Sequence, residues 1–190
     1  ASRSDVCALE LPDVWLTRLL YQFYPKDFPQ KCEFKRYVDP DISDPAYLAK
    51  KRYQSFLLRF LPTFYHSIKV DCVVGHHVLH SPDIDWGTVS NELGVPYLVI
   101  HREGVIGDDT GYGYKTMLGE LKAIGGRKFT GTQMLVQNDT VKQLFTEGGF
   151  LNEDQVTCIG TLRMDNFIHR IAEEAKTRKQ YGRLVFFTFI

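Results

Sequence analysis

A polar, glycine-rich loop follows one of the most apolar stretches of this chain. The stretch VPYLVIHRE covers residues 95–103, and HREGVIGDDTGYG continues from its end. His101 has an ordinary pKa near neutrality, which suits it to act as a general base on a hydroxyl group. Arg102, Glu103 and Gly104 follow it, and glycine lets a sugar or phosphate approach the backbone closely. The segment predicts a binding loop with a catalytic base, or else a surface connection in which backbone groups satisfy His101.

A second polar turn, GTLRMD, follows another apolar run at residues 160–165. Gly160 lets the backbone turn sharply, and Arg163 offers a planar guanidinium group to a carboxylate or phosphate. Asp165 can accept hydrogen bonds from hydroxyl groups. A purely local role is the alternative, with Asp165 capping the next helix and Arg163 pairing with a neighbour.

Three histidines lie in HHVLH at residues 76–80, close to Asp83 and Asp85. Adjacent side chains diverge in an extended turn, and no cysteine or glutamate completes a known zinc spacing. We therefore expect no metal site here, but a single histidine that points into a ligand cleft.

Composition excludes several classes of function. The chain has 190 residues, with 23 basic and 23 acidic side chains and a formal net charge of zero, so it lacks the basic footprint of a nucleic-acid binder. The glycine spacing matches neither a P-loop nor GxGxxG, and GxSxG is absent. Cys72 and Cys158 fall within apolar runs, which favours reduced thiols and a cytoplasmic location.

Apolar runs alternate with helical patterns from residue 68 onward. We predict strands at 68–75, 95–103, 131–137 and 155–160, and helices at 85–94, 112–126 and 139–149, the last capped by Asn138. Such alternation predicts an α/β fold with a Rossmann-like, doubly wound, mostly parallel sheet, whose strands are buried on both faces. Parallel strands end at one edge, where ligands of such sheets bind, and the polar loops lie there.

The N-terminal third has a weaker pattern. Residues 6–11 suggest a strand, and residues 45–67 suggest a long helix kinked near its end by Pro62. The aromatic and basic stretch at 50–69 is suited either to peripheral contact with a membrane or to core packing.

The last residues, RLVFFTFI, form a fifth apolar run at 183–190. A doubly wound domain does not usually end on a bare apolar strand, because such a strand invites aggregation. We expect a first domain over residues 1–180. Residues 183–190 would then be the first strand of a second, missing domain, or an additional strand of the first.

The order DCVVGH (71–76), GVPYLVIHRE (94–103), MLVQND (134–139) and VTCIGTLRMD (156–165) resembles the N-terminal half of glycosyltransferases with the GT-B architecture, especially those of bacterial surface-polysaccharide synthesis. The resemblance implies transfer of a sugar from a nucleotide-sugar donor to a hydroxyl group of a carbohydrate or lipid-linked acceptor, with no cofactor. It implies an acceptor-binding cleft lined by His77 and Glu103, with His101 as base and Arg163 and Asp165 near a hinge to the donor domain.

Two alternatives stay open. Non-hydrolysing UDP-sugar 2-epimerases share this order of elements, but they usually carry an acidic GDT after the strand, where this chain has Gly75, His76 and His77. A flavodoxin-like binding module without catalytic activity would be complete in one domain.

Overall fold

The computed structural model describes residues 6–24, 36–37, 40–75, 81–101, 110–123, 129–160 and 169–170. Its helices are α1 (Asp13–Leu20), α2 (Pro45–Ile68), α3 (Ser81–Glu92), α4 (Tyr112–Ala123) and α5 (Asp139–Glu147). Its strands are β1 (Val73–Gly75), β2 (Tyr97–Ile100), β3 (Gln133–Val136) and β4 (Val156–Cys158), and a short 3₁₀ turn (Glu153–Gln155) precedes β4.

The four described strands form one parallel sheet in the order β1-β2-β3-β4. Val74 is level with Leu98, Ile100 with Leu135, and Val136 with Cys158. Each strand is joined to the next through a helix, as parallel pairing requires. The predicted Rossmann-like α/β class, with a parallel sheet and flanking helices, is therefore confirmed.

The two faces of this sheet differ in burial. In the order β1-β2-β3-β4 each strand lies next to the one before it, always on the same side. Right-handed crossovers between such strands place all the connecting helices on one face of the sheet. That face carries the fully buried side chains Val99, Met134, Val136 and Val156. On the opposite face Val74 is 59% exposed, and Leu98, Ile100 and Leu135 are half-buried. The expectation of strands buried on both faces is wrong for β1 and for β4, because these short strands lie at the two ends of the described sheet.

Helix α2 confirms the long helix predicted from the sequence. The Asp44 carboxylate accepts a hydrogen bond from the Ala46 amide at 2.8 Å, and Pro45 occupies the first helical position, where its missing N–H costs nothing. The helix continues past Pro62 and ends at Ile68, and the next residue, Lys69, caps it with a left-handed φ of 54°. Tyr53, Leu57 and Leu61 bury one face of α2 in the core beside α3.

Three sequence expectations for other regions are wrong. Residues 6–12 lie in neither a helix nor a strand, and α1 follows directly where the sequence pattern predicted no element. Cys72 and Cys158 are exposed free thiols rather than small core residues. Cys72 precedes the short β1, and Cys158 is the last residue of β4, which is an end strand of the described sheet.

Several predicted features lie outside the described residues. They are the helix expected after Asp165, the run at 183–190 and the domain boundary at residue 180. Within the described ranges, no helix combines the length and the apolar character needed to cross a lipid bilayer.

Candidate functional site

The described strands end side by side at one edge of the sheet. Gly75 ends β1, His101 follows β2, Gln137 and Asn138 follow β3, and Gly160 lies two residues beyond β4. The parallel register places these positions at the same end, and we call them the carboxyl edge. Open parallel sheets bind ligands at this end, because helix amino termini and loops meet there.

His101 extends β2 by one further hydrogen bond. Its backbone amide donates to the Leu135 carbonyl at 2.9 Å. Its side chain follows the alternation of Tyr97 and Val99, so the ring turns toward the helices and meets Phe145 edge-on, with ring centroids 5.0 Å apart. His101 is only 7% exposed. Phe145 covers one side of the imidazole, so a substrate has to reach this ring from another direction.

Gln137 connects the exits of two strands. Its side-chain Nε2 donates to the His101 carbonyl oxygen at 3.0 Å, and this contact fixes the orientation of the amide. The other amide atom, Oε1, is buried and accepts no hydrogen bond from any described residue. A buried acceptor without a donor costs about 1–3 kcal/mol. Sequence reasoning did not select Gln137, since a glutamine at a strand end is common and only the fold places it against His101.

Asn138 performs the capping role predicted for it. Its Oδ1 accepts a hydrogen bond from the Val141 amide at 2.8 Å, in the first turn of α5. Asp139 adds a carboxylate to the same turn. The positive end of this helix therefore already faces an amide oxygen and a negative charge, which makes it a better neighbour for neutral hydroxyl groups than for a phosphate.

Gly160 adopts a φ of 81°, a left-handed conformation that other residues rarely take. A Cβ at this position would meet no atom within 4 Å, so the requirement for glycine comes from the backbone and not from crowding. The backbone thus turns sharply after β4, as the sequence predicted.

The other predicted site residues are not among the described ones. His77, Arg102, Glu103, Gly104, Arg163 and Asp165 belong to this group. Their place at the carboxyl edge stays a prediction from the loops in which they occur. In the described part of the chain, no group of three histidine, cysteine or acidic side chains is arranged to hold a metal ion.

A second polar cluster lies inside the helical layer. Asp85 of α3 is 0% exposed and accepts hydrogen bonds from Lys50 Nζ at 2.8 Å, Gln54 Nε2 at 2.8 Å and the Tyr37 hydroxyl at 2.5 Å. Lys50, which is 3% exposed, also lies 4.6 Å from the centre of the Tyr37 ring. We call these four residues the Asp85 network.

The Asp85 network is chemically saturated. Burial, and then the charge of Asp85, raises the pKa of Tyr37 well above its ordinary value, so the phenol stays protonated and donates. Beside it, Trp86 Nε1 donates to the Tyr53 hydroxyl at 2.9 Å. Because three donors share the Asp85 carboxylate, the network holds α2 against α3 and offers no reactive group to a ligand.

One sequence signal for this network exists in hindsight. Lys50 occurs at helical spacing with Ala46, Tyr53 and Leu57, which places a lysine on the buried face of α2 and requires an acidic partner. In the sequence, Asp85 stands near the histidines of residues 76–80, and nothing links it to a residue 35 positions earlier.

Comparison with known proteins yields no relative, since no family model, curated protein or solved structure matches this chain.

Proposed function

We propose that this chain is the acceptor-side domain of a glycosyltransferase and that it binds the acceptor sugar at the carboxyl edge. The Oε1 of Gln137 carries the proposal, because it accepts no hydrogen bond from any described residue and a sugar hydroxyl can donate to it. The carboxyl edge is also the usual ligand-binding edge of a parallel sheet.

The polar groups described at this edge suit a neutral ligand. Gln137 and Asn138 contribute amides, and Asp139 adds a negative charge that opposes a phosphate group. This supports binding of a carbohydrate acceptor here and binding of the nucleotide diphosphate of the donor on another domain.

In the proposed reaction, the acceptor hydroxyl attacks the anomeric carbon of a nucleotide sugar. The new C–O bond forms as the bond to the nucleoside diphosphate breaks, and His101 takes the proton that the hydroxyl loses. Phe145 holds the imidazole on one side, so only a small movement of the ring is compatible with this role. His77 and Glu103 would line the same cleft, with Arg163 and Asp165 near the donor domain.

The test compares carbohydrate binding by matched variants. Ligand-observed nuclear magnetic resonance with a panel of mono- and disaccharides should detect binding by the wild-type chain. Gln137→Leu should weaken it about tenfold, the value of one lost hydrogen bond. Gln143→Leu, on an exposed position of α5, should not change it.

Two results would contradict the proposal. Equal carbohydrate affinity in Gln137→Leu would separate Gln137 from the acceptor site. Direct binding and interconversion of a UDP-sugar, without any acceptor, would favour the epimerase instead.

We also propose a cytoplasmic location. Cys7, Cys72 and Cys158 are exposed free thiols, a state that a reducing compartment preserves. A maleimide that does not cross membranes should label these cysteines in lysed cells but not in intact ones, and labelling of intact cells would contradict this location.

A further inference from the structure

A row of four phenylalanine rings runs from the end of α1 along α2. Phe23 lies 5.3 Å from Phe56, Phe56 lies 5.6 Å from Phe60, and Phe60 lies 5.3 Å from Phe64, measured between ring centroids. The three rings of α2 are four residues apart, so they form one row on the helix surface. We call these four residues the phenylalanine ladder.

The phenylalanine ladder is only half covered by protein. Phe60 is 40% exposed, and Phe56 and Phe64 are intermediate. Leu48 is a further exposed apolar residue of the same helix and lies four residues before the exposed Arg52. Helix α2 buries Tyr53, Leu57 and Leu61 in the core, and beside them it leaves the aromatic row partly exposed, with Phe60 the most exposed ring.

The exposed face of α2 carries positive charge and no negative charge. Residues 45–68 contain no aspartate or glutamate, and Lys51, Arg52, Arg59 and His66 are exposed. Arg52 is four residues from Phe56, and Arg59 is three residues from it, so both exposed arginines lie beside the ladder on the helix surface. Neither arginine forms an ion pair with another described residue.

The geometry points to this face of α2 as a docking surface for an anionic lipid bilayer. Lys50, the remaining basic side chain of the helix, is turned inward and paired with Asp85, whereas the arginines beside the ladder are exposed and have no ion-pair partner among the described residues. Basic side chains beside exposed aromatic and aliphatic groups characterise helices that lie in the headgroup region, where charge attracts the surface and the rings enter it.

A nucleic acid fits the same charge less well. The whole chain has a formal net charge of zero, so the positive charge is confined to a local face. The three rings of α2 also stack on each other, with planes only 10° and 17° apart, which leaves their edges rather than open faces for a base to contact. Apolar ring edges suit acyl chains. This inference stands independently of the proposed glycosyl transfer.

Co-sedimentation of the full chain with lipid vesicles tests the charged part of the surface. We expect binding to vesicles of phosphatidylcholine and phosphatidylglycerol in roughly equal parts, and little binding to phosphatidylcholine alone. The double variant Arg52→Gln with Arg59→Gln should bind about 25-fold more weakly, since each basic residue near an anionic surface contributes a factor of about five. Its matched control, Lys115→Gln with Lys122→Gln on exposed positions of α4, should bind like wild type.

A tryptophan reporter tests the ladder without removing a packed ring. Thr63 is exposed on α2 and lies three residues beyond Phe60. Subtracting the wild-type emission spectrum from that of Thr63→Trp leaves the emission of the added tryptophan, which should shift to the blue on anionic vesicles. In Thr116→Trp, on an exposed position of α4, the emission of the added tryptophan should not shift.

Two outcomes would overturn the inference. One is equal binding of wild type and the arginine double variant to anionic vesicles. The other is binding of a single-stranded oligonucleotide by wild type, lost in the arginine double variant, with no shift of Thr63→Trp on vesicles. The second outcome would assign the face to a soluble polyanion.

Discussion

The Asp85 network and the carboxyl edge are both built from polar side chains, the first mainly within helices α2 and α3 and the second after the ends of strands, but they differ in how completely those groups are paired. In the network, one carboxylate receives three donors away from solvent. At the edge, Gln137 has one amide atom bonded to His101, and its other amide atom accepts from none of the residues that the structure describes. A saturated buried cluster contributes to the positioning of helices, whereas an incomplete one leaves capacity for a ligand. Stability should therefore depend on the first region and binding on the second.

The largest expected effect is at Asp85. Asp85→Ala removes the carboxylate shared by three donors in the core and should lower the free energy of unfolding by about 3–5 kcal/mol. Urea unfolding measures this, with Glu120→Ala on an exposed position of α4 as the control at less than about 0.5 kcal/mol. A combined Asp85→Leu and Lys50→Met change should recover most of the loss. If Asp85→Ala alone lowers the free energy of unfolding by less than about 1 kcal/mol, the Asp85 network does not stabilise the fold more than the carboxyl edge does.

The next effect is a loss of stability at high pH through Tyr37. Its pKa is raised in the folded protein, above all by burial, so only the unfolded chain loses this proton above about pH 10. The stabilising contribution is fully present below that pH and falls as pH rises, by about 1.4 kcal/mol per pH unit for one tyrosine.

Urea midpoints across the alkaline range should therefore fall more steeply for wild type than for Tyr37→Phe. Tyr65 also has a raised pKa because of burial and remains in both proteins, so the difference isolates Tyr37. If the urea midpoints of wild type and Tyr37→Phe fall equally steeply with pH, the Tyr37 phenol already ionises in the folded protein.

The cap of α5 should contribute less. Asn138→Ala removes the acceptor of the Val141 amide and should cost about 0.5–2 kcal/mol. Asn91→Ala, on an exposed position in the last turn of α3, is the matched control and should change stability little. If thermal unfolding gives the same result for both variants, the cap is not a stabilising feature of the edge.

Two glycine-to-alanine changes should have opposite signs. Gly160→Ala forces alanine into a left-handed conformation and should destabilise by about 1 kcal/mol. Gly119→Ala lies within α4, where a Cβ meets no atom within 4 Å, and should stabilise by about 0.5–1 kcal/mol. Calorimetric melting temperatures give both signs, and a neutral Gly160→Ala would argue against a strained turn after β4.

The smallest effect on stability should come from Gln137. Gln137→Leu loses the hydrogen bond to His101 but also removes a buried acceptor that has no donor, so the net change should stay below about 1 kcal/mol. Carbohydrate binding should nevertheless fall, as proposed above. A large loss of stability in this variant would instead place Gln137 with the structural residues of the Asp85 network.

Sequence patterns located most elements within a few residues. The predicted helix at 45–67 is observed at Pro45–Ile68, and Asn138 caps α5 as expected, because helical periodicity and cap chemistry are local properties. The strands were predicted too long, since an apolar run does not reveal where pairing ends. The pattern also missed α1, whose exposed Val14 and Trp15 obscure its amphipathic spacing.

Of the predicted site residues that the structure describes, His101 and Asn138 both follow strands at the carboxyl edge. The sequence alone did not indicate that the His101 ring would pack on Phe145, or that Gln137 would bind its carbonyl oxygen. Those contacts join residues 36 or more positions apart, and residue type and spacing carry no information about which distant side chain will be adjacent.

The sequence by itself therefore determined the alternation of strands and helices, the parallel α/β class and the capping of α5, because hydrophobic periodicity and backbone preferences act over a few residues. Only the tertiary structure decided which polar groups are satisfied. It turned Lys50 inward to Asp85, left Gln137 with an unused acceptor, and kept the phenylalanine ladder half exposed beside Arg52 and Arg59. Whether a side chain is buried and paired depends on which distant parts of the chain pack around it. The same residue types therefore have different roles in different parts of the fold.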